Sequence, residues 1–180
     1  VDLKQAICTK FKRDNGITYG LDQIVVSTGA KQSIANICMV LLDPGDEVLL
    51  PAPYWVSYSA IATLAEATST IIPSSIETDF KITPEQLEAA ITPKTKLIMF
   101  NSPNNPSGTI YTEAEYRALG KVLAKHPDIY ILSDEIYEHI NYGTKHFSIA
   151  AIPELYDRTI TVNGVAKAFA SFGSSCCSFE

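Results

Sequence analysis

The sequence predicts an α/β fold, a three-layer αβα sandwich around a mostly parallel sheet, and three observations carry that prediction. Apolar runs of strand length recur along the 180 residues. Helix-length amphipathic segments separate them. The runs are continuously apolar rather than alternating, the pattern of strands covered on both faces. Crossovers between such parallel strands are right-handed.

The elements follow in order. Ile24, Val25, Val26 and Ser27 form a strand that Gly29 ends. Residues 31–42 form a helix with Ile34, Ile37, Cys38, Leu41 and Leu42 on one face. Asp43, Pro44, Gly45 and Asp46 make a turn. Residues 47–50 are the next strand, stopped by Pro51 and Pro53; 55–65 are helical and 70–72 a short strand. Thr83, Pro84 and Glu85 open a helix to about residue 91, with a Thr cap, Pro first and an acid in the first turn. Residues 96–100 form a buried strand. Thr112 and Glu115 have capping-box spacing and open a helix to about residue 125. Residues 129–132 and 159–162 complete the strands. No linker, low-complexity run or internal repeat breaks the series, so it reads as one domain.

Composition narrows the function. Hydrophobic residues at 46% and charged residues at 19% describe an ordinary globular chain and exclude a disordered one. No apolar run reaches the ~18 residues of a membrane span, and the start is neither a signal nor a transit peptide. A net charge of −6 with scattered lysines argues against nucleic acid or an anionic membrane as partner. Cys8, Cys38, Cys176 and Cys177 form no C-x-x-C pair, and no histidine stands at zinc-finger spacing, so no metal site is expected. They read as reduced thiols of a cytoplasmic protein, with Cys8 and Cys38 packed on helices. His126, His139 and His146 read as structural or surface residues. No serine lies in G-x-S-x-G, so that hydrolase chemistry has no support.

In a sheet of this kind ligands sit beyond the carboxyl ends of the strands. Four polar groups fall there: residues 27–30, 101–108, 134–137 and 163–167. Their convergence indicates a single site, although each group has two readings. Gly29, Ala30 and Lys31 make either a tight turn or a phosphate cradle of helix-start N–H groups. Residues 101–108, with Asn105, make either a plain loop or a constrained one presenting an amide, with X-Pro bonds open to the cis form. Asp134 is either a helix N-cap or a buried carboxylate that needs a cation or a protonated ring nitrogen. Tyr137 packs in the core or, if the chain turns helical, points the same way as Asp134. Lys167, flanked by small and apolar residues, is either a surface lysine or an amine placed for nucleophilic work. Trp55 packs in the core or stacks on a planar cofactor.

Five motifs in order resolve these pairs by resemblance. They are Ser-Thr-Gly-Ala-Lys-Gln at 27–32, Pro-Ala-Pro-Tyr-Trp at 51–55 and Asn-Ser-Pro-Asn-Asn-Pro-Ser-Gly at 101–108, followed by Ser-Asp-Glu-Ile-Tyr at 133–137 and Asn-Gly-Val-Ala-Lys-Ala-Phe-Ala at 163–170. From about residue 2 to residue 170 the chain resembles the fold-type I, class I aminotransferases of the aspartate aminotransferase family. The resemblance implies a partial large domain at 1–170, a divergent tail at 171–180, and pyridoxal 5'-phosphate as cofactor. It implies that Lys167 joins the cofactor and moves the proton, that Asp134 pairs with the ring nitrogen, and that Tyr137 and Asn105 bond the phenolic oxygen. Trp55 stacks on the ring, and the amides of Ala30 and Lys31, after Gly29, take the phosphate. The implied reaction passes an amino group from an amino acid, aspartate or an aromatic one, to a 2-oxo acid, in a full-length parent that is a homodimer. A C–S lyase or an aminocyclopropane-type synthase on the same scaffold, or a non-catalytic fragment, are the alternatives.

The chain departs from the family pattern at Ser171. The expected phosphate-binding arginine is Ser175, which removes a charge-assisted bond of roughly 1.5–3 kcal/mol. With no initial Met, the chain is expected to begin inside a longer gene product, and the loss of pattern at Ser171 points to a truncated or frame-disrupted one.

Overall fold

The computed structural model describes residues 1–170 and 175–178. Its helices are α1 (Asp2–Asn15), α2 (Ala30–Leu41), α3 (Ser57–Leu64), α4 (Pro84–Ala90) and α5 (Glu113–Leu123). Its strands are β1 (Ile24–Ser27), β2 (Glu47–Pro51), β3 (Thr68–Ile72), β4 (Thr95–Asn101), β5 (Tyr130–Asp134), β6 (Thr159–Gly164) and β7 (Ser175–Ser178). They form one sheet in the order β1-β7-β6-β5-β4-β2-β3. The run from β6 to β3 is parallel throughout, and β7 is antiparallel to both its neighbours.

Alternation along the strands explains the three layers. Successive side chains point to opposite faces. Val48, Leu50, Leu97, Met99 and Leu132 enter one apolar cluster with Ile34 and Cys38 of α2 and Tyr58, Ile61 and Ala62 of α3. Their neighbours Leu49, Ile98, Phe100 and Ile131 enter another, with Leu87 of α4 and Tyr116, Leu119 and Leu123 of α5. Because each residue is buried on one face or the other, these strands read as unbroken apolar runs. A smaller cluster joins Cys8 and Phe11 of α1 to Tyr19 and Ile24.

Local signals set several boundaries. Thr83 and Thr112 accept the amides of Gln86 and Glu115 while those side chains reach back, so both capping boxes form. Arg158 closes the other end of α5. Its guanidinium donates to the carbonyl of Leu123, the last residue of α5, at 2.7 Å and to those of His126 and Ile129 in the turn beyond it at 2.9 and 2.7 Å.

One feature differs from the sequence reading, and two others bear on it. The helix expected over 55–65 begins at Ser57, leaving Trp55 outside it in the segment after the cis Ala52–Pro53 bond. The chain after Asp134 turns through Glu135 to Ile140 by i to i+3 bonds and forms no helix. Within the segment assigned to the tail, Ser175–Ser178 pair with β1 and β6; the reading of Ser175's side chain as a lost phosphate contact lies outside the described residues.

Candidate functional site

The carboxyl ends of the parallel strands bring the polar groups together. Asn101, Asp134 and Val162 lie level across β4, β5 and β6. Asn101 donates its amide to the Asp134 carbonyl at 2.9 Å, and the Glu135 N–H donates to the Val162 carbonyl at 2.8 Å. These bonds fix the sheet's edge where the chain leaves it.

A cavity of about 330 Å³ opens there, within the usual size of ligand sites. Ala30 and Lys31 line it from α2, Trp55 from the segment after β2, and Asn105 from the loop after β4. Asp134, Tyr137 and Lys167 complete the ring of expected residues. Gly29 stands one residue outside as the N-cap of α2, at φ 108 and ψ 148. That is a region essentially restricted to glycine. The four motifs and Trp55 therefore meet in one place. Lys167 and Asp134 share this single cavity.

Asp134 is the electrostatic centre. It is 3% exposed. Its Oδ2 accepts the Tyr58 hydroxyl at 2.6 Å and its Oδ1 accepts the Ile136 N–H at 3.2 Å. Burial raises the carboxyl to about 6, although Tyr58, the Ile136 amide and the charge of Lys167 pull the other way. Burial and the neighbouring carboxylate push the Tyr58 phenol well above its usual range, so it stays a donor. No ion pair to Asp134 forms among the described residues. A carboxylate has about four acceptor positions, and the two bonds leave capacity for a donor from the cavity.

The other walls are apolar planes and amides. Lys167 Nζ lies 5.8 Å from the Tyr137 ring centre and Lys31 Nζ 4.9 Å from the Trp55 ring centre. Asn105 Nδ2 donates to the Tyr137 hydroxyl at 3.5 Å, and the Asn101 side chain holds the Asn105 N–H at 2.7 Å. The Ser102–Pro103 and Asn105–Pro106 bonds of this loop are both cis. A larger, more open depression of about 690 Å³ adjoins the cavity across Asn105 and Tyr137. Lys81 on its wall is already paired with Asp79 and Glu115.

These groups fit pyridoxal 5'-phosphate. The buried carboxylate suits a protonated ring nitrogen. Trp55 offers a flat face, and Asn105 with Tyr137 offers donors for an oxyanion. The start of α2 offers amides for a phosphate, and Lys167 an amine for an aldehyde.

Two parts of the arrangement escaped the sequence reading. Tyr58 fits the apolar helix pattern without drawing notice, and its nearness to Trp55 in the chain is the one available signal. The network behind the site was not legible from spacing. Glu135 accepts from Ser133 and Ser148 at 2.9 and 2.6 Å and pairs with His146 at 3.0 Å. Glu138, near His146, is paired with Lys10 and accepts from Asn15 at 3.1 Å.

The family model for aminotransferase class I and II matches residues 1–177. Over 174 residues the chain is 52% identical to the aspartate/prephenate aminotransferase of Cereibacter sphaeroides, covering 96% of this chain and 44% of that one. It is 48% identical over 174 residues to the bifunctional aspartate aminotransferase and glutamate/aspartate-prephenate aminotransferase of Petunia hybrida, covering 96% of this chain and 36% of that one. Among solved structures it resembles the aspartate aminotransferase of Rhizobium meliloti, with a TM-score of 0.97 at 47% identity, over 99% of this chain and 46% of that one. The Thermus thermophilus aspartate aminotransferase with maleate gives a TM-score of 0.93 at 39% identity, over 99% and 47%. The chain thus spans less than half the length of these relatives.

Proposed function

The chain belongs to the class I and II aminotransferase family, whose cofactor is pyridoxal 5'-phosphate, and from that premise we propose that it forms the cofactor-holding part of an enzyme that moves an amino group from aspartate to a 2-oxo acid. The observation that carries the reading is the shared cavity of Lys167 and Asp134, an amine and a buried carboxylate with a flat Trp55 ring beside them. When bound, the cofactor supplies an aldehyde that captures amines and a ring that accepts electron density.

The chain's residues do the rest. Asp134 holds a proton on the ring nitrogen through one of its free acceptor positions. Tyr137 and Asn105 donate toward the phenolic oxygen. Trp55 excludes water from one face. The amides of Ala30 and Lys31 and the dipole of α2 bind the phosphate, and Gly29 lets the chain reach that turn. Lys167 Nζ would hold the cofactor through its aldehyde and, when free as an amine, would be the base that takes the proton from the substrate's α carbon and carries it as an ammonium. Aspartate is favoured over an aromatic donor because relatives at 46–52% identity carry aspartate in their names, whereas the aromatic aminotransferase of Pyrococcus horikoshii is 34% identical. A homodimeric parent and a cytoplasmic location belong to the same proposal; no helix among the described residues is long and apolar enough to cross a membrane.

Trp55 is the single tryptophan, so cofactor binding can be followed by its fluorescence. Saturable quenching by pyridoxal 5'-phosphate, with amino transfer from aspartate in the full-length parent and none in its Lys167→Ala variant, is the expected result. Unchanged fluorescence, or transfer that survives the substitution, overturns the reading.

A further inference from the structure

We propose that Tyr58 is a positioning residue that sets both the Asp134 carboxylate and the Trp55 ring before anything enters the cavity. The inference rests on the functional reading above and adds a residue to it.

Tyr58 is 1% exposed and lies on α3, against the face of the sheet that carries Asp134. Its hydroxyl donates to Asp134 Oδ2 at 2.6 Å, a length usual for a charged acceptor. The Ile136 N–H holds the other oxygen, so the plane of the carboxylate is fixed from two sides. The Tyr58 ring meets the Trp55 ring edge-on, with centres 5.6 Å apart and planes at 88°, a favourable aromatic geometry. The Tyr58 N–H also donates to the Trp55 carbonyl at 2.9 Å. One side chain therefore touches two walls of the cavity, one an acceptor and one a flat ring.

The hydroxyl also governs when Asp134 carries charge. Lys167 and Lys31 face the cavity from the segment after β6 and from α2, Tyr58 faces the carboxylate from α3, and Glu135 and Tyr137 follow it in the chain. Among these, Tyr58 is the group in direct hydrogen-bond contact with Asp134 from another element. Removing it leaves burial opposed mainly by a backbone amide and by the more distant Lys167.

The test uses Tyr58→Phe, which keeps the ring contact and deletes the hydroxyl, and reads two quantities. In the cofactor-free 180-residue chain, carbon-13 NMR follows the Asp134 carboxyl across pH. The variant is expected to titrate at higher pH than the parent chain; the same midpoint in both overturns the proposal. Trp55 fluorescence then gives the affinity for pyridoxal 5'-phosphate at several pH values. The variant is expected to bind about tenfold more weakly near neutrality, as the loss of one charge-assisted bond implies, with its acid limb moved upward. The cost should vanish in an Asp134→Asn background, where the charge that Tyr58 serves is gone; an equal cost in both backgrounds marks Tyr58 as simple packing and overturns the proposal. Should Tyr58→Phe fold poorly, the Asp134 carboxyl titration is repeated with Tyr58→Leu, which also deletes the hydroxyl; an unmoved midpoint there overturns the proposal as well. A parent chain whose fluorescence never responds to the cofactor overturns the functional reading instead, and the carboxyl titration alone then decides whether Tyr58 holds Asp134.

Discussion

Asp134 and Glu135 are adjacent in the chain and bond on opposite faces of the sheet. Asp134 meets Tyr58 on the side of α2 and α3, while Glu135 meets Ser148 and His146 on the side of α5. Strand alternation separates them, and their electrostatics diverge accordingly. Asp134 has no cation in bonding reach among the described residues, and burial raises its carboxyl to about 6. Burial also opposes the charge on Glu135, but His146, Ser148 and Ser133 outweigh it and hold that carboxyl below its usual range. The first carboxylate is open to a ligand, and the second is fully used by the fold.

The open carboxylate costs stability. With its value raised from 3.8 to about 6, Asp134 favours folding in its protonated form. That contribution is fully present below pH 3.8 and is lost as pH rises through about 6. Asp134→Asn should therefore stabilise the cofactor-free chain at pH 8 by on the order of 2–3 kcal/mol, and by much less at pH 4. Urea unfolding at the two pH values measures it; no gain at pH 8 contradicts the assignment.

The pair behind the site has its own pH window. Burial disfavours charge on His146, yet Glu135 and Glu138 prevail and raise it above 6.5. The His146 contribution is full below pH 6.5 and is lost as pH climbs through the raised value. The Glu135 contribution is full above pH 4.5 and is lost as pH falls through its lowered value. His146→Gln strands a buried carboxylate and should cost roughly 3–5 kcal/mol at pH 5.5, with a smaller loss at pH 9. Equal losses at both values would leave His146 a packing residue only.

Gly29 matters for its backbone. A Cβ there would meet nothing within 4 Å, yet its φ is +108. Gly29→Ala should lower stability by roughly 1–3 kcal/mol through strain at the start of α2 and weaken phosphate binding there. A thermal melt that matches the parent chain's would show that this turn relaxes freely.

Arg158 should be a large contributor away from the site. It is half-buried, donates to the Leu123 carbonyl at the end of α5 and to the His126 and Ile129 carbonyls beyond it, and its own burial lowers its proton affinity. Arg158→Gln is expected to cost roughly 2–3 kcal/mol, measured by urea unfolding and insensitive to added cofactor.

Much of this was readable in the sequence because buried parallel strands announce themselves as apolar runs and their ligand-facing residues follow directly. Asp134, Asn105 and Lys167 each stand just past such a run. Tyr58 was hidden because a tyrosine inside an apolar helix pattern looks the same whether its hydroxyl is idle or bonded to a carboxylate. The bounds of α1 were not legible either: only Cys8 and Phe11 of its 14 residues are buried, too few for a clear stripe. The strand β7 reads Ser-Cys-Cys-Ser and owes its form to pairing on both sides with β1 and β6, a tertiary cause that no local pattern records. Glu135 and His146 are 11 positions apart and meet only when the chain folds back after β5.

The most direct measurement is chemical trapping. The chain is incubated with pyridoxal 5'-phosphate, reduced with borohydride, digested and analysed by mass spectrometry. A cofactor-sized addition on Lys167, at one equivalent and absent from Lys167→Ala, is the predicted outcome. Label spread over other lysines, or unchanged in the variant, would contradict the claim that this amine faces Asp134 across the bound ring.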